Sequence, residues 1–128
     1  MINPFIPVII FSLLLGVAIY QILLAIGFPL GAAAWGGLYR TLPMPLRIAS
    51  IFSAVILVSM GIVILQHTTV IGPFLPIPIH STLWVFTAFL GLNTVGNIAS
   101  KSKTERLIMT PVSSILFLLC LWVLLGYQ

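Results

Sequence analysis

Charge is what this chain lacks. Of its 128 residues, five are Lys or Arg and one is an acid, Glu105. A soluble domain carries roughly 25% charged residues, whereas here 5% are charged and 61% are hydrophobic. So few charges cannot cover a water-facing surface of this size, so a lipid solvent is implied. Cysteine is scarce as well: Cys120 stands alone, which excludes an intrachain disulfide and a thiolate metal site. It reads as a small apolar residue inside the last hydrophobic run.

Four long apolar runs occupy most of the chain. A helix needs about 20 apolar residues to cross the hydrocarbon core, and the sequence predicts crossings at 5–28, 48–66, 81–99 and 107–127. Soluble core helices rarely stay apolar on every face for this length. The expected fold is an all-α integral membrane four-helix bundle, one domain spanning 1–128. The first run is too long for a signal-peptide core and no Lys or Arg precedes it, so cleavage after Ala32-Ala33-Ala34 is not expected.

The basic residues fix an expected orientation. Arg40 and Arg47 lie between the first two runs, and Lys101, Lys103 and Arg106 between the last two. Cytoplasmic loops carry the excess of Lys and Arg, which puts both basic loops inside and both termini outside. The same residues suit anionic lipid headgroups. That accounts for the formal charge of +4 without nucleic acid. Trp35 and Tyr39 would then mark the inner interface, and Trp84, Trp122 and Tyr127 the outer one.

The connections carry their own signals. In the first inner loop, Pro29 is placed to end the first helix, and the apolar stretch from Leu30 to Leu38 is expected either to lie in the interface or to re-enter the protein. Pro73, Pro76 and Pro78 favour an extended outer loop. His67 and His80 bracket that loop, but two histidines without a carboxylate or thiol form an incomplete metal set, so no metal or other cofactor is expected. Ser102-Lys103-Thr104-Glu105 fits a capping box at the start of the last helix, where Glu105 is also within sequence reach of pairing with Arg40 or Arg47.

Polar side chains gather at one depth. Tyr20 and Gln21 on the first run, Ser50 and Ser53 on the second, Asn93, Thr94 and Asn97 on the third, and Thr110, Ser113 and Ser114 on the fourth all fall toward the basic loops. Asn93, Gly96, Asn97 and Ser100 share one helical face by their spacing of three and four. Amides in hydrocarbon must find partners, so these faces should point inward. Two roles fit: interhelical hydrogen bonding, or the lining of a cavity that binds a small polar or lipid-like molecule. The candidate ligand set is Tyr20, Gln21, Ser50, Ser53, Asn93, Asn97, Ser113 and Ser114.

The chain resembles a family of small, uncharacterised bacterial four-span membrane proteins. Leu30-Gly31 with Trp35-Gly36-Gly37, Leu42-Pro43 with Leu46-Arg47-Ile48-Ala49-Ser50, and Asn93, Asn97, Ala99-Ser100, Ser102 and Glu105-Arg106 carry the resemblance. It implies a bacterial inner-membrane setting and brings no activity with it. No predicted span holds an Asp, Glu, Lys or His, so general acid–base chemistry and proton pumping lack their usual groups within the membrane. The function expected from the sequence is noncatalytic, a carrier or binder of a lipid-like or small polar ligand. The alternatives are an accessory subunit or assembly factor, as a homo-oligomer or with a membrane partner, and, ranked last, an interfacial enzyme.

Overall fold

A computed structural model describes residues 3 and 5–126, so Tyr127 lies outside the described residues. Four helices run in order: α1 (Phe5–Ala25), α2 (Met44–His67), α3 (Ile79–Ile98) and α4 (Lys103–Gly126). Two short 3₁₀ turns, Gly31–Ala33 and Trp35–Gly37, sit in the first inner connection. Helix α1 packs most extensively against α2, and α3 against α4, so the bundle is built from two hairpins, with α2 and α3 in slighter contact.

The helix ends depart from the predicted boundaries for identifiable reasons. Helix α1 stops before residue 28 because Gly27 adopts a left-handed φ of 102°. The Phe28 N–H then bonds to the Leu23 carbonyl and the Gly27 N–H to that of Leu24, the paired bonds of a Schellman stop. Pro29 follows the stop and does not cause it. Helix α2 begins at Met44, four residues before the predicted 48, with Pro43 at its N-cap and Pro45 in its first turn. Proline is tolerated there because the first-turn N–H groups have no helical partner. Helix α4 likewise begins at Lys103, ahead of the predicted 107. Arg47 and Arg106 therefore stand in the first turns of α2 and α4, not in loops.

The main core joins all four helices through Ile10 and Leu14 of α1, Met60 and Ile64 of α2, Leu83 and Leu90 of α3, and Leu116 and Leu124 of α4. A second, smaller core at the other end is made by Leu24, Ala34 and Leu42, with Tyr20 and Leu46 against it. That second core exists because the apolar inner loop folds back under the helices. Gly31, Ala33, Ala34 and Leu42 are buried, and the Gly31 N–H donates to the Arg40 carbonyl at 2.8 Å. A Cβ at Gly31 would overlap the Tyr39 carbonyl oxygen, so only glycine fits there.

Outside the cores the surface is apolar on every side. Ile9 and Ile19 of α1, Phe52 and Val55 of α2, Val85 and Leu92 of α3, and Leu107 and Leu118 of α4 are all exposed. Apolar exposure of this extent is untenable in water. Helices α1, α2 and α4 are each long and apolar enough to cross a membrane. Helix α3 is 20 residues long, but His80, Ser81, Thr82, Thr87, Asn93, Thr94 and Asn97 make it less apolar. The chain is a multi-pass membrane protein.

At the far end of the bundle, Gln66 organises the proline-rich loop. Its amide oxygen accepts the N–H groups of Phe74 (3.2 Å) and Leu75 (2.8 Å), and its nitrogen donates to the Leu75 carbonyl at 3.0 Å. His67 and His80 come together, with ring centroids 5.6 Å apart. The Trp84 indole N–H donates to His80 Nε2 at 3.1 Å. Among the described residues no group of three or more metal-ligating side chains forms.

Candidate functional site

The polar groups gathered at the inner-loop end divide into two sets. One set is satisfied by partners within the protein. Ser50 is fully buried and accepts the Trp35 indole N–H at 3.0 Å. The Tyr20 hydroxyl donates to the Leu30 carbonyl at 2.6 Å, fastening the loop to α1. Ser113 donates to the Met109 carbonyl at 2.7 Å, and Ser114 to that of Thr110 at 2.6 Å, both within α4. Tyr20, Ser50, Ser113 and Ser114 are not among the residues lining the cavity that the other set surrounds.

The other set surrounds a cavity of about 330 Å³. Gln21 of α1, Ser53 of α2, Asn93 and Asn97 of α3, and Glu105 of α4 supply its polar lining. Ala33, Ala34 and Trp35 of the folded-back loop line it on the side of the basic connections. The loop thus packs against the helices with Ala33 and Ala34 buried. Ile56 and Phe89 are both lining and exposed, as are Asn93 and Gly96. These four sit on α2 and α3, the helices in slight contact, so the cavity opens sideways between them.

Asn97 belongs partly to both sets. Its amide nitrogen donates to Ser113 Oγ (3.0 Å) and to the Met109 carbonyl (3.3 Å). Because Ser113 already donates its own hydroxyl proton to Met109, it needs a donor from Asn97, which fixes the amide orientation. The Asn97 carbonyl is what remains for the cavity.

Comparison with protein-family models, with curated proteins and with solved structures gives no match. The site is therefore read from its own chemistry.

Two of its residues were not singled out as ligand groups in the sequence. Trp35, an expected interface anchor, is held with φ of 52° in the left-handed region. That conformation is costly for a side-chain-bearing residue, and here it aims the indole at Ser50. Glu105 was read as half of a capping box. Half of the box forms: the Glu105 N–H bonds to Ser102 Oγ at 3.2 Å. The reciprocal bond does not, because the Ser102 N–H goes to Ser100 Oγ at 3.1 Å. The carboxylate is released to line the cavity, and among the described residues it pairs with neither Arg40 nor Arg47. Only the unusual pairing of Ser100 with Ser102, two residues apart, could have signalled this.

The five cationic residues stay out of the cavity. Arg40 and Lys101 are exposed on the connections, and Lys103 is exposed at the first position of α4. Arg47 donates to the Leu42 carbonyl at 2.9 Å, and Arg106 to that of Ser100 at 3.0 Å. They form a basic rim around the loop end, and the hollow within it has no positive group.

Proposed function

We propose that this is a noncatalytic four-span membrane protein, with both termini outside, that takes up the polar end of an amphipathic molecule from the bilayer. Crossing by α3 is supported by its length and by its place in a bundle whose other members are apolar enough to span. The orientation is supported by the basic rim, since Lys and Arg gather on the cytoplasmic side, where they meet anionic headgroups. The bacterial inner membrane suggested by the sequence resemblance is consistent with this arrangement.

One observation carries the reading: a hollow with polar walls opens sideways through the apolar α2–α3 gap. A sideways opening connects the site to lipid, not to water. An amphiphile can thus enter with its chain against Ile56 and Phe89 and its polar end among the amides. Nothing in the lining suggests a reaction, and no step is assigned.

Trp35 provides the readout. In a Trp84→Phe/Trp122→Phe background it is the remaining indole. Titration of that variant in maltoside micelles with dodecylamine and with monododecanoylglycerol should give a saturable change in Trp35 emission with at least one of them. Gly96→Leu should abolish it. A Cβ at Gly96 meets nothing within 4 Å, so a larger side chain can fill the mouth without forcing the helices apart. No saturable change with either amphiphile, or an unchanged response in the Gly96→Leu variant, overturns the reading.

A further inference from the structure

We infer that the polar end this cavity accepts is a cation, an alkylammonium group, with Glu105 as its counter-ion. The inference rests on the amphiphile-binding reading and names the ligand class that reading leaves open.

The argument begins with an imbalance. Glu105 is the one ionisable residue in the cavity lining. It is also the sole acid of the chain. It is only 9% exposed, and among the described residues its carboxylate has neither a hydrogen-bond donor nor an ion-pair partner. Its oxygens are not among the fully buried side-chain atoms, so the carboxylate borders the open space of the hollow without a protein partner, where a charge-assisted bond to a cation is favourable. Cations are near in sequence, but the nearest are engaged elsewhere: Arg106 adjoins Glu105 and turns to the Ser100 carbonyl, while Arg47 turns to Leu42. The partner this carboxylate lacks is one the chain does not supply.

The neighbouring groups share its character. The Gln21 side-chain oxygen is a buried acceptor with no donor. Asn97 has spent its N–H groups on α4 and offers a carbonyl. Gln21, Asn97 and Glu105, from three different helices, thus bring acceptor oxygens to the walls of one hollow, which favours a donor. An ammonium group donates three hydrogen bonds and carries the opposite charge. Trp35 and Phe89 also line the hollow, and aromatic rings favour a nearby cation over an anion. A phosphate or carboxylate head would instead meet Glu105 as a like charge, with no basic residue inside to offset it. The basic rim acts in the same direction, since it holds anionic headgroups at the inner surface and away from the hollow.

The test extends the Trp35 titration with a charge comparison at constant chain length. Dodecylamine should bind about tenfold or more tightly than monododecanoylglycerol, and Glu105→Gln should remove that preference. The substitution keeps the shape of the side chain, and a retained response to monododecanoylglycerol shows that the variant is folded. Equal affinities for the two amphiphiles in the wild type, or a preference that survives Glu105→Gln, overturn the cation assignment and leave the amphiphile reading standing. The absence of a response to either defeats both. Should Glu105→Gln fail to fold, Gln21→Leu serves in its place: it removes an acceptor from the hollow and should reduce dodecylamine affinity more than that of monododecanoylglycerol. An equal effect on the two overturns the inference.

Discussion

Ser102 Oγ donates to the carbonyl oxygen of Ala32 at 2.6 Å while it accepts the N–H of Glu105 at 3.2 Å. One hydroxyl thus caps α4 and ties the two inner connections together across 70 positions of sequence. Ser102→Ala breaks both bonds. Loss of a serine N-cap alone costs about 1 kcal/mol, and freeing the Ala32 carbonyl adds about another 1 kcal/mol. A thermal melt in mild detergent should show a clear drop for Ser102→Ala. Ser102→Thr, which keeps the hydroxyl, should lie much closer to wild type. An unshifted Ser102→Ala melt would mean that the loop is held by its apolar contacts alone.

The Trp35 indole and Ser50 make a second pair whose members depend on each other. Trp35→Phe leaves a fully buried hydroxyl without its donor, and an orphaned buried polar group costs about 1–3 kcal/mol. Removing the hydroxyl as well relieves that penalty. The double variant Trp35→Phe/Ser50→Ala should therefore be more stable than Trp35→Phe, although it carries one more substitution. Denaturation midpoints of the three proteins decide the matter. A double variant weaker than the single one would show that Ser50 stabilises the fold independently of Trp35.

How much of this was legible in the sequence depends on the scale of the interaction. The helices were legible because each long run stayed apolar on every face over a length that suits a lipid bilayer. Their ends were less so. The sequence predicts a crossing at 48–66, and the helix that contains it begins earlier, at Met44, because proline in a first turn is permitted. The gathering of polar residues toward the basic connections was legible, and Gln21, Ser53, Asn93 and Asn97 of that group border the cavity. The roles of Ser113 and Ser114 were not legible, because a hydroxyl in a helix satisfies its own turn as readily as it faces a neighbour. Glu105 was hidden by a motif that forms only in part. The fate of a capping-box acid depends on whether Ser102 has another acceptor, and that is settled by the backbone path through Ser100.

Asn97 and Ser113 join α3 to α4 across a 3.0 Å hydrogen bond. In a membrane such bonds are worth less than intuition suggests, because the separated helices also find partners. A typical coupling is about 0.6 kcal/mol, with about 1.7 at the upper end. A double-mutant cycle of Asn97→Leu, Ser113→Ala and their combination should return a coupling in this range. A value near zero would place the joining of the hairpin in the apolar contacts of Leu90 and Leu116.

The proposed orientation makes a demand on chemistry that can be met or refused from outside the cell. Arg40 and Lys103 are exposed residues at the basic end, and Pro73 is exposed at the opposite end of the bundle. Cys120 is buried within α4, so the native thiol contributes little background to maleimide labelling. With a membrane-impermeant maleimide on intact cells, Pro73→Cys should be modified, whereas Arg40→Cys and Lys103→Cys should react only after the membrane is opened. The two basic-end probes come from different connections, so a chain with an even number of crossings between them must give them the same answer. If Arg40→Cys and Lys103→Cys differ, α3 does not cross. If both are labelled from outside, the bundle is inverted, and the cavity with its carboxylate belongs to the outer leaflet. An amphiphile would then reach it from that leaflet through the same α2–α3 gap, and the basic rim would no longer follow the charge rule on which the assignment of sides rests.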